Sequence, residues 1–337
     1  MDERQLQPPL PANWGDKRFY TWNAHMRQQF GEKIFKVPLD GGFTCPNRDG
    51  NIAIGGCTFC SARGSGDFAG SRRDDLITQF NQIRDRQHLK WPRAKYIGYF
   101  QAYSNTYAPV EELREAYEVI LEQPGVVGLS IATRPDCLPD DVVEYLAELN
   151  KRTYLWVELG LQTIHERTSM LINRAHDTAC FLEGVAKLRK HGIRVCAHII
   201  YGLPLEDDRM MLETGRAVSA MDVQGIKIHL LHLMKKTPMV KQYEAGLVEF
   251  LDCEHYVKLV VDTLEFLPPE MIVHRVTGDA PRETIIGPMW SLKKWEVLNA
   301  IDAELRRRDS WQGKLWQPGE RLLSPSQLNE HGVPLWV

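Results

Sequence analysis

The sequence predicts an α/β protein, in which an open, partial barrel of six strand–helix units is followed by a C-terminal α/β extension. Apolar runs and helical segments alternate along most of the chain, which is typical of a parallel sheet with right-handed crossovers. The apolar runs are nearly continuous, so both faces of the sheet are expected to be buried. Six units fit an open barrel better than a closed eight-fold one.

Each strand–helix unit carries its own local signals. The strands are predicted at 33–39, 95–101, 126–133, 153–160, 193–202 and 225–233. The helices are predicted at 71–88, 110–122, from 139 onward, 178–191, 207–220 and 254–266. Asp74 resembles the capping-box partner of Ser71 at the start of the first of these helices. Pro139, followed by two aspartates, suits the first turn of a helix.

We divide the chain into three parts on this pattern. Residues 1–18 are expected to form a flexible extension, because they contain no periodic apolar segment. The barrel is assigned to 19–242. The extension over 243–337, which includes the amphipathic segment WSLKKWEVLNAIDAELRRR, is expected to close the open side of the barrel.

Composition excludes several classes of protein. The 337 residues are 43% hydrophobic and 25% charged, as in ordinary globular proteins. The formal net charge of −3 argues against a protein that coats nucleic acid non-specifically. A membrane-spanning helix needs about 18 consecutive apolar residues, and the sequence has no such run. The N-terminus lacks the basic start and apolar stretch of a secretory signal, so we expect a cytoplasmic protein.

Three of the seven cysteines form a distinctive motif. Cys45, Cys57 and Cys60 lie in CPNRDGNIAIGGCTFC, a C-x11-C-x2-C loop that directly follows the first predicted strand. Three thiolates on one loop predict a metal site. The other four cysteines are isolated, and we interpret those in apolar or helical contexts as small buried hydrophobic residues.

The number of thiols narrows the choice of metal. A cubane iron–sulfur cluster is normally held by four cysteines, so three would leave one iron free to bind a group that is not a side chain. Such an open position is a place for a reaction. Structural zinc, completed by a distant histidine, is the alternative that the sequence leaves open.

Polar side chains follow the other predicted strands, where barrels of this kind place their chemistry. The residues at these strand ends are Gln101, Ser104, Thr133, Arg134, Glu158, Gln162, His198, Tyr201, His229 and His232. Thr133 and Arg134 begin a run that is equally typical of a strand-to-helix turn. Glu158 is the most informative, because it interrupts the apolar run YLWVELGL and a buried unpaired charge is costly.

These motifs resemble those of the radical S-adenosylmethionine (SAM) superfamily, from about residue 19 to 313. The chain is most similar to the YhcC/YtqA-like bacterial branch, which is related to the Elongator catalytic subunit and to anaerobic coproporphyrinogen oxidation enzymes. The resemblance rests on CPNRDG…GGCTFC, YFQAYSNTYAP, ATRPDCL, VELGLQT, LINRAH, YGLP and HLLHLMKKTPM. The first gap between cysteines is longer than the common C-x3-C-x2-C spacing and is similar to that of the Elongator-related group.

The resemblance implies both cofactors and their contacts. Cys45, Cys57 and Cys60 would hold a [4Fe–4S] cluster, and its free iron would chelate the amino and carboxylate groups of SAM. Gln101 and Ser104 occupy the position where relatives contact the methionine moiety. The usual Gly-Gly-Glu run of the family is absent at this position.

Further contacts are implied on the later strands. Glu158, Gln162 and Arg174 lie where related proteins contact the ribose and carboxylate of SAM. Thr133 and Arg134 are included as cofactor-binding candidates from the third strand. Tyr201 begins the segment that matches the region near adenine.

The predicted function is reductive cleavage of SAM to a 5′-deoxyadenosyl radical that acts on an unidentified substrate. Kinship with the Elongator group suggests a tRNA wobble uridine, whereas the acidic overall charge favours a small molecule. The family implies a flavodoxin or ferredoxin as electron donor. The competing interpretation is a non-catalytic iron–sulfur protein for electron transfer or redox sensing.

Overall fold

The computed structural model describes residues 10–319 and 321–335, and it confirms the predicted open α/β barrel. Seven parallel strands form one curled sheet in the order β1-β2-β3-β4-β5-β6-β8, so sequential strands are neighbours. The strands are β1 Ile34–Leu39, β2 Lys95–Phe100, β3 Val126–Thr133, β4 Tyr154–Gln162, β5 Arg194–Tyr201, β6 Gly225–Leu230 and β8 Ile272–Arg275. A second, antiparallel sheet pairs β7 Leu233–Met234 with β9 Ile285–Gly287.

α-Helices flank the strands, and most of them cover the outer face of the curled sheet. They are α1 Trp22–Phe30, α2 Leu76–His88, α3 Val110–Leu121, α4 Asp140–Arg152, α5 Glu166–Leu171, α6 Thr178–Lys190, α7 Asp208–Ala220, α8 Met239–Glu244, α9 Cys253–Phe266 and α10 Lys294–Arg307. The main core lies between this layer and the strands, and a smaller apolar cluster fills the base of the barrel interior. No helix within the described ranges has both the length and the apolar character that crossing a membrane requires.

Helix α2 begins later than the sequence predicts. The expected start at Ser71 with Asp74 as partner is wrong, because residues 71–74 form a turn in which the Asp74 N–H donates to the Ser71 carbonyl. Asp75 is the N-cap, and its side chain accepts a hydrogen bond of 2.9 Å from the Thr78 N–H. Asp75, rather than Ser71, therefore caps the helix.

The segment beyond residue 242 is part of the same sheet. Strand β8 pairs in parallel with β6 and supplies a seventh strand that the sequence analysis did not predict. Helices α9 and α10 pack against each other beside it. Residues beyond 242 therefore contribute a strand to the barrel sheet itself.

The N-terminal segment closes the base of the barrel. Residues 1–9 lie outside the described residues, and with them that part of the predicted flexible extension. Residues 10–18 are packed rather than free: Trp14 is 2% exposed, and Arg18 contacts Asp309 at 3.0 Å. Thr21 then forms a parallel bridge to Val273 of β8, and the Val273 N–H donates to the Tyr20 carbonyl at 2.8 Å.

Helix α1 follows this bridge and places aromatic rings below the barrel interior. Trp22 lies 4.3 Å from the His274 ring and 5.7 Å from the Trp156 ring, measured between centroids. Gly225 is needed here, because a Cβ at that position would lie 2.7 Å from His274 Nε2 and 3.0 Å from the Trp156 ring. The interior is therefore closed at its base and opens toward the carboxyl ends of the strands.

Candidate active site in the barrel

A cavity of about 890 Å³ runs from the cysteine loop into the barrel interior. Every site residue predicted from the sequence lines this cavity except Tyr201. The structure thus brings together Cys45, Cys57, Cys60, Gln101, Ser104, Thr133, Arg134, Glu158, Gln162 and Arg174. They come from the ends of β1 to β4 and from the loops that follow them, as expected for chemistry at the carboxyl ends of parallel strands.

The cysteine loop is held by side chains that bond to its backbone. The Arg48 guanidinium donates to the carbonyls of Cys60 at 3.0 Å and Ser61 at 2.6 Å. Asn47 is fully buried, and its amide donates to the Asn173 carbonyl at 2.6 Å and contacts Cys57 Sγ at 3.6 Å. The conformation of the loop therefore depends on residues that the sequence analysis did not select.

The donor chemistry of the loop fits an iron–sulfur cluster. All three cysteines are free thiols that face one cavity, with the guanidinium groups of Arg48 and Arg134 on its lining. Burial raises the pKa of Cys57 to about 12, so binding of a metal by this thiol would have to displace its proton. Within 10–319 and 321–335, no group of three or more His, Cys, Asp or Glu side chains is gathered closely enough for a single metal ion.

Arg174 lies between the cysteine loop and the end of β4, and its carbonyl accepts a hydrogen bond from the Asn47 amide at 3.4 Å. Its guanidinium donates to the carbonyls of Leu161 and Thr163, both at 2.5 Å, and through Nε to His176 at 2.8 Å. The remaining donors face the Glu166 carboxylate at 3.4 Å. All five N–H groups thus have protein acceptors, and Arg174 is completely buried. The structure gives this residue a positioning role and leaves it no donor for the carboxylate of SAM.

Arg134 has a similar role on the other side of this segment. It forms a bidentate ion pair with Asp136, at 2.8 and 2.6 Å, and donates to the Arg174 carbonyl at 2.7 Å. Thr133 is hydrogen-bonded through its hydroxyl to Thr106 at 2.6 Å. Both residues shape the wall of the cavity with polar groups that are already paired.

Gln162 is the candidate whose side chain is free. The hydrogen bonds of the described residues include none from its amide, and its φ of 62° lies in the left-handed region, which is rare for residues other than glycine. The β4–β5 register shifts between Gly160 and Gln162, so an irregularity in β4 turns this side chain to the rim. Gln101, by contrast, donates to the Ser65 carbonyl at 2.9 Å, and Ser104 is 1% exposed.

Glu158 lies at the centre of a buried charged cluster. Its Oε1 accepts hydrogen bonds from Lys36 Nζ at 2.5 Å and from Ser130 Oγ at 2.6 Å. Its Oε2 accepts from His198 Nε2 at 2.8 Å and from Lys227 Nζ. The carboxylate is completely buried, and the two lysines hold its pKa well below the usual value despite that burial. Both of its oxygens are thus occupied by protein donors.

The neighbours of Glu158 are perturbed by the same burial. Burial lowers the pKa of Lys227 to about 8, with the nearby Lys36 and Arg275 charges acting in the same direction. Burial and the Lys227 charge lower the pKa of His198 to about 4, so its ring is neutral near pH 7. Its Nε2–H is then the donor to Glu158. Tyr99 completes the group by accepting from Lys227 Nζ at 3.0 Å.

Tyr201 lies on the opposite face of its strand. Its hydroxyl is hydrogen-bonded to Thr263 on α9 at 2.6 Å, and the residue is completely buried in the core between sheet and helices. Successive side chains of a strand alternate between faces. Because His198 of β5 faces the cavity, Tyr201, three positions later, faces the helices. Its side chain is therefore separated from the other candidates.

Lys36 and Lys227 were not among the site residues predicted from the sequence. A signal was present, since each lysine interrupts an apolar run, in KIFKVPL and in GIKIHLLHL, as Glu158 does in its own. A lysine in the middle of a buried strand needs an anionic partner as much as a buried carboxylate needs a cation.

Comparison with known proteins places this architecture in a family. Residues 45–218 match the model of the radical SAM superfamily, and residues 223–307 match that of the radical SAM C-terminal domain. The chain is 69% identical over 309 residues to uncharacterized protein YtqA of Bacillus subtilis (strain 168), covering 92% of this chain and 96% of that protein. It is 38% identical over 301 residues to protein YhcC of Escherichia coli (strain K12), covering 88% and 96% of the two chains.

A solved structure has the same fold. The archaeal Methanocaldococcus infernus Elp3, with an N-terminal deletion, superposes with a TM-score of 0.61 at 15% sequence identity, over 83% of this chain and 64% of that chain. Members of the matching superfamily bind a [4Fe–4S] cluster and SAM. The resemblance seen in the sequence motifs is confirmed, and the chain belongs to the radical SAM superfamily.

Proposed function

We propose that Cys45, Cys57 and Cys60 ligate the [4Fe–4S] cluster and that this enzyme cleaves SAM reductively to act on a substrate inside the barrel. The observation that carries the proposal is that three free thiols of one loop face the same cavity as the polar strand ends. When bound, the cluster would supply the electron that splits SAM into methionine and a 5′-deoxyadenosyl radical. Three protein thiolates leave its fourth iron for SAM.

The residues of the chain orient the cofactors and exclude water. Asn47 and Arg48 fix the backbone of the cysteine loop, and Arg174 fixes its position against β4. We assign to Gln162, Gln101 and Ser104 the polar contacts with SAM, with Gln162 offering an unpaired amide at the rim. The closed aromatic base formed by α1 keeps solvent from the interior, where a carbon radical would otherwise react with water or side chains.

Anaerobic reconstitution with iron and sulfide, followed by dithionite and SAM, tests this proposal. We expect 5′-deoxyadenosine and methionine in equal amounts. Cys57→Ala should lose the cluster absorbance and this activity but keep its far-ultraviolet circular dichroism, because the core lies outside the loop. Cys253→Ala is the matched control, since Cys253 begins α9 and does not line the cavity. Absence of both products from the reconstituted wild type would refute the proposed cleavage of SAM.

The alternative is a non-catalytic iron–sulfur protein for electron transfer or redox sensing. It would use the same thiols but has no need of a deep polar cavity or of a free amide at Gln162. Calorimetric titration of the unreduced, reconstituted protein with SAM separates the two. Saturable binding that weakens in Gln162→Ala supports the enzyme, and absence of binding supports the electron carrier.

For the substrate we propose a tRNA, at a wobble uridine, on the strength of the sequence resemblance to the Elongator-related branch. Binding of tRNA should weaken steeply with added salt, because phosphate contacts release counterions. Binding that does not change with salt, together with unchanged modified nucleosides in a deletion strain, would direct the search to small metabolites. A flavodoxin or ferredoxin is the proposed electron donor.

A further inference from the structure

The charges inside the cavity do not balance. Two ammonium groups, Lys36 and Lys227, face the single carboxylate of Glu158, and the Lys227 side chain is only 5% exposed. The adjoining wall of the cavity also has two cations for one carboxylate. Arg275 lies 3.6 Å and Lys294 2.7 Å from Asp279, so two cations share one carboxylate there as well.

The nearby histidines do not supply the missing negative charge and do not add positive charge. Burial and the surrounding cations lower the pKa of His229 well below its usual value, and burial lowers that of His232 to about 4. Both rings are neutral near pH 7. The positive charge at Lys36 and Lys227 is largely shielded from water, whereas Arg275 and Lys294 are about a third exposed. The shielded charge is costly unless a bound group compensates for it.

Several polar atoms that line this space have no protein partner. The Nε2 atoms of His229 and His232 are buried and, within the described part of the chain, accept and donate no hydrogen bond. Lys227 Nζ has three protons, of which two are directed to Glu158 and Tyr99. Its third proton has no acceptor among the described residues. Unsatisfied buried donors beside an excess of positive charge are what an anionic group would satisfy.

We propose that the floor of this cavity binds an oxyanion of the substrate, a carboxylate or a phosphate, between the Lys227 ammonium, the His229 ring and the Arg275 guanidinium. This rests on the proposed function, because it takes the substrate to enter the same cavity as SAM. The charged floor and the cysteine loop both line that cavity. Binding of the oxyanion would hold the rest of the substrate on the side of the cavity that faces the cofactors.

Long-range ¹H–¹⁵N spectra of histidine-labelled, reconstituted protein test the proposal. Acetate and inorganic phosphate are titrated separately with SAM present and no reductant, at an ionic strength held constant with chloride. SAM occupies the cofactor position, so its own carboxylate site is not available to the probe. We expect a saturable shift of the His229 ring nitrogens with at least one probe, and the probe that binds identifies the oxyanion as carboxylate or phosphate.

Variants then assign the site. Lys227→Met should weaken the binding of that probe by about tenfold or more, because it removes one partner of a buried charged hydrogen bond. Lys151→Met, an exposed lysine in the last turn of α4, should bind the probe as the wild type does. Arg275→Gln provides a second test at a half-buried position if Lys227→Met fails to fold.

Two results would overturn the proposal: no saturable shift with either probe, or equal affinity in wild type, Lys227→Met and Arg275→Gln. Neither depends on cleavage of SAM. If the wild type binds the oxyanion but forms no 5′-deoxyadenosine after reduction, the proposed function fails and the anion site stands. If it cleaves SAM but binds neither probe, the anion site fails and the proposed function stands.

Discussion

Replacing Glu158 by glutamine tests the charged cluster directly. The substitution keeps the size of the side chain but leaves Lys36 and Lys227 facing each other without a carboxylate. Removing one partner of a buried ion pair costs about 3–5 kcal/mol, because the remaining charge stays buried and unpaired. We expect Glu158→Gln to lower the free energy of unfolding by that amount in urea titrations followed by circular dichroism.

The stability of Lys227→Met provides the comparison for Glu158→Gln. It removes two hydrogen bonds but leaves a neutral pair, Lys36 with Glu158, so its expected cost is about 1.5–3 kcal/mol. Although Glu158→Gln is the smaller chemical change, it should therefore lower the free energy of unfolding more than Lys227→Met does. If Glu158→Gln costs less than Lys227→Met, measured in the same cluster state, the charge balance described for the interior is wrong.

The pH dependence gives an independent check on the same variant. Lys227 has a pKa of about 8 in the fold against 10.5 as its ordinary value, and without Glu158 this pKa falls further. The unfolded state then binds the proton more tightly than the native state, so stability rises with pH between the two values. The difference in stability between wild type and Glu158→Gln should therefore shrink as the pH rises to about 8, the pKa of Lys227 in the wild type, and stay constant above it, where both proteins gain stability equally. If the difference in free energy of unfolding between wild type and Glu158→Gln does not change with pH below about 8, Lys227 is not the charge that the substitution destabilises.

Three further predictions follow from individual contacts. Arg174→Lys leaves carbonyls of the β4 end without donors and should lower the iron content after reconstitution, measured per folded protein; unchanged iron would remove its positioning role. Burial and Arg194 lower the pKa of His25 to about 4 from 6.5, so stability is lost as pH falls through that window, and His25→Gln should unfold less steeply with acid than the wild type. Tyr201→Phe should cost about 1 kcal/mol through its bond to Thr263, and a separate loss of SAM affinity would instead support the adenine contact.

Much of the barrel could be predicted because each strand is a nearly continuous apolar run and a helical segment separates it from the next. Strand β8 could not, since Ile272–Arg275 is short, half polar and preceded by prolines, and it is a strand only because β6 offers an edge to pair with. Helix α1 was missed for a related reason. Its sequence WNAHMRQQF has little apolar periodicity, and its stability comes from packing at the base of the barrel.

The sequence predicted residues that, apart from Tyr201, line one cavity, but it did not predict the hydrogen bonds between them. The motif predicted that Cys45, Cys57 and Cys60 lie together, and they line one cavity. The positioning role of Arg174 could not be predicted, because its guanidinium donates to backbone carbonyls, which have no sequence pattern. Tyr201 could have been assigned to the correct face by parity, because it lies an odd number of positions from His198 on the same strand. The partners of Glu158 lie on strands far away in the sequence, so pairing them required the register of the sheet.

The bridge between Thr21 and Val273 bears on the order in which the protein is completed during translation. Strands β1 to β6 each pair with the strand made just before, so that part can assemble as the polypeptide emerges from the ribosome. Tyr20 and Thr21 must wait for β8, which is synthesised after strands β1 to β6. A product that ends before β8 therefore contains Cys45, Cys57 and Cys60 but lacks the bridge that covers the base of the barrel.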